Sequence, residues 1–178
     1  MVYTHSAIRQ AHRFFSYQIN VKSIFMNASF MNMVAKDIVV LLRVAMGWLF
    51  FYAGITKVLD PEWSAAGYLA NAKTFSDFFA YLASPANIGW VNLANEWGLT
   101  LLGISLLLGL GVRVSSMLGA ALMMLYYLPL LEFPRVGAHS YIVDDHIVYA
   151  LVLIFFAAVR AGRMFGLDAK IKKSPRIL

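Results

Sequence analysis

Cysteine is absent from the 178 residues. That excludes disulfides, thiolate metal sites, covalently attached haem and a CxxC redox relay. If such a chain handles electrons, it needs a bound organic cofactor or a partner. Histidine is scarce, at four residues. His5 and His12 lie near the amino terminus and His139 in a loop, which leaves His146 alone in an apolar stretch. A membrane haem usually draws on histidines from two facing helices, so no haem is expected. One histidine with scattered carboxylates has no recognisable ligand spacing, so no metal is expected either. There is no Gly-rich phosphate loop, nucleophile elbow or assembled Ser-His-Asp set. The basic-aromatic pattern of a nucleic-acid reader is also missing.

Charge is sparse too. Only 13% of residues are charged, whereas 61% are hydrophobic and the mean hydropathy is +0.68. A soluble domain of this size does not tolerate such a surface, so the composition reads as a small polytopic protein in a lipid bilayer. The formal net charge of +6 comes from basic residues gathered in the tails, where they act as topology signals.

The chain is organised around Ile38 to Leu69, IVVLLRVAMGWLFFYAGITKVLDPEWSAAGYL. Its first part, 38–59, is almost wholly apolar and, at about 1.5 Å per residue, reaches across a ~30 Å hydrocarbon layer. Arg43 and Lys57 stand about four helical turns apart on roughly one face, and a cation facing lipid is costly, so that face is expected to look inward. Further spans are predicted over 90–111, 112–131 and 142–159. The expected fold is therefore an all-α membrane protein, a four-transmembrane-helix bundle. Between the first two spans, WSAAGYL and FSDFFAYL read as short helices lying flat at the headgroup level, with Trp63, Tyr68 and Tyr81 as anchors, or as a plain linker.

Residues 1–37 read either as a start placed too far upstream, since Met26, Met31 and Met33 lie nearer the first span, or as an amphipathic or poorly ordered tail. The membrane domain is drawn at 38–169 and a basic tail at 170–178. Outside the spans, eleven Lys and Arg fall on one side and three on the other. Positive-inside then places both termini in the cytoplasm of a multi-pass cell-membrane protein.

Polar residues gather toward the opposite, outer side. Lys57 closes the first span, and Asp144, Asp145 and His146 open the fourth, with Tyr149 one turn below Asp145. Glu132, His139 and Tyr141 come from the connection before it. Glu96 lies two turns, roughly 9–10 Å, into the second span. Asn92, Glu96, Thr100 and Gly103 share a helical face that can turn the carboxylate toward Lys57 or His146. Glu96 is too short to snorkel, which makes it a functional candidate. Arg43 and Lys57 have long stems and can equally well reach the interface. Of the two aspartates, Asp145 is expected to face inward with Tyr149.

The run LLRVAMGWLFFYAGITKVLDPEWSAAGYL carries an internal Arg, then F-x-x-A-G-x-x-K, then D-P. Together with WGLTLLGISLLLGLGVR and a closing Gly162-Arg163-x-x-Gly166-Leu167-Asp168, it resembles the DoxX/DoxD family over about 38–169. Trp63 to Leu69 resembles the DoxD side, the small subunit of a thiosulfate:quinone oxidoreductase. The resemblance implies four membrane helices and quinone-linked redox chemistry, with quinone as substrate. Less directly, it implies oxidation of thiosulfate beside a second, DoxA-like redox subunit.

Two functional readings stay open. In the first, Glu96 and Asp145, relayed by His146 or Tyr149, deliver the two protons of quinone reduction. Arg43 and Lys57 then stabilise the quinol oxyanion or attract an anionic donor. Trp48, Phe51, Trp97 and Tyr126 supply flat apolar walls, although core packing explains these aromatics equally well. In the second, the chain is a non-enzymatic anchor or assembly factor for a soluble redox or oxidative-stress enzyme, its charges forming structural ion pairs. A small transporter is a weaker third reading, because four spans without a repeat leave little room for alternating access. A homo-oligomer is compatible with any of these.

Overall fold

The computed structural model describes residues 32–137 and 140–171. The expectations for the amino-terminal tail up to residue 31, for His139 and for the tail beyond Ile171 lie outside the described residues. Residues from Val39 onward form one compact unit, and the fold described here is that unit's.

Helices dominate. Three are long and apolar enough to cross a membrane: α1, Asn32–Val58; α4, Ile88–Leu108; and α5, Val112–Leu130. Between α1 and α4 lie two short helices, α2, Ala66–Ala70, and α3, Ser76–Ala83. A 15-residue apolar helix, α6, Asp145–Val159, follows α5. A 3₁₀ turn, Ala161–Arg163, and a last short helix, α7, Asp168–Ile171, complete the described chain.

The sequence predicts an all-α fold with a loop over 132–141, and here the structure differs. Leu131–Glu132 (β1), Arg135–Val136 (β2) and Ser140–Tyr141 (β3) make a small antiparallel meander in that order. Pro129, one residue from the end of α5, and Pro134 both lack an N–H and interrupt helix propagation, so the backbone satisfies itself by cross-strand pairing instead. The meander and the left-handed Ile142 (φ 60°) delay α6 to Asp145, three residues after the expected start. α1, in contrast, begins at Asn32 rather than at the first apolar residue, because Met33, Ala35 and Lys36 are good helix formers.

The α4–α5 turn is built on glycine. Gly109 and Gly111 sit at φ 66° and 63°, in the left-handed region that costs glycine least. Leu110 N–H donates to Ser105 O and Gly109 N–H to Leu106 O, which closes the α4 carbonyls in a Schellman-type cap.

The main core joins Met46 and Phe50 of α1 to Leu99, Leu102 and Leu106 of α4, Val112, Ala120 and Met123 of α5, and Leu153 and Phe156 of α6. Close approach of α1 and α4 depends on small residues. A Cβ on Gly103 would collide with the Phe51 backbone, and one on Gly54 with Thr100. A second apolar cluster, centred on Ala65, Leu69 and Phe79, seats α2 and α3 against Ile88, Val91 and Leu128. Beyond Asp145, exposed positions on α6 are themselves apolar, among them Val148, Leu151, Ile154 and Phe155.

Candidate functional site

α1 and α5 finish, and α4 and α6 begin, at one end of the bundle. The connection after α1 folds back over this end and is tied down by named bonds. Asn92 Oδ1 accepts from Ala65 N–H at 3.0 Å, and Asn92 Nδ2 donates to Ser64 Oγ at 3.3 Å. Lys73 N–H donates to Pro129 O at 2.9 Å, and the Tyr68 hydroxyl donates to Tyr126 O.

Under this cover lies a cavity of about 270 Å³ lined by Lys57, Trp63, Ser64, Ala65, Tyr68, Asn95, Tyr126 and His146. Its wall is aromatic. Tyr126 meets Tyr68 edge-on at 6.4 Å between centroids and His146 edge-on at 5.8 Å. The Lys57 ammonium donates to Ala53 O at 2.8 Å and sits 5.4 Å from the Trp63 ring centre, a cation–π arrangement. His146 Nδ1 lies 2.6 Å from Asp144 Oδ2. Asp144 also caps α6, its other oxygen accepting from Ile147 N–H at 3.2 Å. This fixes the imidazole with one nitrogen on the carboxylate, an arrangement that orients a proton carrier.

Two buried polar atoms at the cavity, Tyr126 Oη and Asn95 Oδ1, make no hydrogen bond of ordinary geometry among the described residues, the Asn95 side chain being the polar neighbour of the Tyr126 hydroxyl. Buried polar groups are nearly always satisfied, so a weakly paired hydroxyl and amide facing a cavity leave hydrogen-bonding capacity for a polar guest. Tyr68, in α2, has its phenol pushed up to about 12, by burial first and then by the charge of Asp144. It therefore remains a donor throughout the physiological range.

Of the residues singled out from the sequence, the structure brings Lys57, Tyr126 and His146 together at the cavity. Asp145 is exposed, and Asp144 turns inward instead. Tyr149 packs edge-on against Phe50 at 6.0 Å, within the core. Glu96 is half-buried and, among the described residues, makes no ion pair with Lys57 or His146, while its backbone carbonyl accepts from Thr100 Oγ1 at 2.7 Å. Trp48 and Trp97 stand on the exposed surface, 59% and 45% accessible.

Arg43 is at the other end of the bundle. It is 2% exposed and donates through Nη1 to Ala161 O at 2.8 Å and Met164 O at 3.0 Å. Nearby, Asp168 accepts from Gly111 N–H at 2.7 Å and Val112 N–H at 3.2 Å, capping α5. The closing Gly162 to Asp168 motif is thus a lock that ties the α4–α5 turn to Arg43.

Sequence reasoning missed Asn95, Trp63 and Tyr68 as cavity residues. Asp144 was readable as an N-cap, an aspartate immediately before an apolar helix.

The membrane-length helices, α4 whole and most of α1 and α5, fall within the one comparison that gives a match. The DoxX family model covers residues 38–129, just over half of the 178 residues. The chain belongs to the DoxX family. Its apolar helices and that membership make it a membrane protein. No curated protein and no solved structure matches it. The matched region holds Lys57, Trp63, Tyr68, Asn95 and Tyr126, and ends before His146. No group of three or more His, Asp or Glu among the described residues is arranged to hold a metal ion.

Proposed function

We propose that this DoxX protein is an integral membrane subunit of a quinone-linked oxidoreductase whose quinone site is the cavity between α1, α2, α4, α5 and α6. The observation that carries the proposal is the pairing of an aromatic wall with a weakly paired Tyr126 hydroxyl and an Asp144-held His146 in one small space. Ligand pockets start at roughly 300 Å³, so this cavity suits a single ring with its tail lying outside in lipid.

Reducing a quinone to a quinol takes two electrons and two protons. Two thiosulfate ions joining as tetrathionate release two electrons, so with two protons the equation balances. Thiosulfate is the donor that the DoxD-like features imply. His146, held by Asp144, is the proton carrier at one quinone oxygen, and Tyr126 Oη and Asn95 form the polar contact at the other. Lys57 is the cation that offsets developing oxyanion charge. Glu96, half-buried beside Asn95, would return protons to the site from outside the cavity. A DoxA-like subunit or a soluble redox enzyme would deliver the donor.

In this reading α6 is a fourth span. Its 15 residues cover about 22 Å, and beyond Asp145 its exposed side is as apolar as its buried one. With four spans, the excess of Lys and Arg at the Arg43 end supports a cell-membrane protein with both termini in the cytoplasm and the cavity in the outer half.

The test is reduction of a short-chain quinone by purified protein in lipid with thiosulfate, comparing wild type, His146→Ala and Trp48→Leu. Loss of activity in His146→Ala alone supports the site. Equal activity in all three removes it. No activity in any, with a soluble redox enzyme co-purifying, favours an anchor.

A further inference from the structure

The end of the bundle opposite the quinone cavity has a cavity of its own. It measures about 260 Å³ and is lined by Arg113, Arg160, Arg163, Asp168 and Ile171. Its three arginines come from three elements: Arg113 from the first turn of α5, Arg160 from the residue that ends α6, and Arg163 from the close of the 3₁₀ turn. None of them makes an ion pair within 4.0 Å among the described residues. The one carboxylate present, that of Asp168, is committed to the Gly111 and Val112 N–H groups. Among the described residues the cavity therefore keeps an excess of positive charge, with the arginine side-chain donors unengaged.

The frame around these arginines is fixed. Arg43 grips the carbonyls of Ala161 and Met164, on either side of Arg163. Leu167 N–H and Asp168 N–H donate to Leu108 O and Gly109 O at 3.1 and 2.9 Å. Arg160 occupies a left-handed position at φ 54°, where glycine would be less strained, yet an arginine stands there and faces the cavity.

We propose that this cavity binds a phosphate group, carried by an anionic lipid headgroup or free in solution. Each guanidinium presents a planar fork of N–H donors, and a phosphate offers enough oxygens to engage three forks, whereas a carboxylate offers two. The apolar exposed residues of α5 and α6, among them Val114 and Phe155, bring the cavity rim to the height at which lipid phosphates lie. The proposal is independent of the quinone reading.

The full chain, purified in mild detergent, is incubated with equal phosphatidylglycerol and phosphatidylcholine, and retained lipid is read by native mass spectrometry. Wild type is expected to prefer the anionic lipid by about tenfold or more. Arg113→Gln/Arg160→Gln/Arg163→Gln should abolish the preference, and Lys170→Gln/Lys172→Gln/Lys173→Gln, which removes equal charge from the neighbouring tail, should keep it. Millimolar inorganic phosphate that displaces the lipid identifies free phosphate as a ligand, and retention against it identifies the headgroup.

If the arginine variant does not fold, phenylglyoxal labelling of wild type replaces it. Either phosphate or phosphatidylglycerol should protect Arg113, Arg160 and Arg163 and leave Arg135 reactive. Equal lipid preference in both triple variants, or no selective protection, would overturn the proposal.

Discussion

His146 Nδ1 lies 2.6 Å from Asp144 Oδ2, and the same Asp144 side chain caps the helix that carries His146. One carboxylate thus both starts α6 and orients the imidazole at the cavity. Asp144→Asn keeps a capping oxygen and removes the charge. It should leave the melting temperature within a few degrees of wild type while lowering quinone reduction by about a hundredfold, the low end for a lost proton-transfer group. Asp144→Ala should cost about 1 kcal/mol of stability in addition. Thermal melts in detergent beside turnover assays separate the two effects.

Arg43 belongs to the fold. Removing its guanidinium leaves Met164 O without a donor and Ala161 O with only the Met164 N–H, at about 1–3 kcal/mol for the unsatisfied carbonyl. Arg43→Met should therefore destabilise the protein by roughly 1–3 kcal/mol. The folded fraction should keep its quinone KM, because Arg43 lies about 21 Å along α1 from Lys57. Denaturant melts with KM measured on the folded fraction check both parts.

How much of this was legible in the chain follows from what each residue must do. Long apolar runs announce membrane helices whatever their neighbours, and Gly109 and Gly111 announce the tight turn. Arg43 was legible as an inward-facing cation, but its partners were not, because Ala161 and Met164 offer backbone carbonyls that no side-chain pattern reveals. Glu96 drew attention for its depth, yet position along one helix says nothing about rotation against the next. The cover over the cavity depends on Asn92 reaching backbone and hydroxyl groups 27 and 28 residues earlier, which periodicity cannot encode. The β-meander escaped because its strands are two residues each.

α1 and α4, which carry Lys57 and Asn95 to the cavity, pack closely through Gly54 and Gly103. Gly103→Ala puts a methyl group against the Phe51 backbone, which can yield only by moving a helix. The expected loss is roughly 1–3 kcal/mol, the usual range for overpacking, with weaker quinone binding as the cavity wall shifts. Melts and quinone titration of the variant measure both.

Tyr68 makes a prediction at alkaline pH. Its folded phenol loses its proton near 12, against an ordinary value of 10.0. Between those values the unfolded chain releases a proton that the folded one keeps, so stability falls as pH rises through this window. Tyr68→Phe should show a shallower fall than wild type from pH 10 to 12, and equal slopes would contradict the assignment.

Photolabelling tests the central claim most directly. A short-chain azidoquinone is irradiated with the full protein in lipid, and the labelled peptides are mapped by mass spectrometry. Label on Trp63, Tyr68, Tyr126 or His146, competed away by unmodified quinone and absent when Tyr126 and His146 are both replaced by Leu, is the predicted result. Label confined to the exposed Trp48 and Trp97, with no competition, would mean that quinone meets this protein only as a solute in the surrounding lipid.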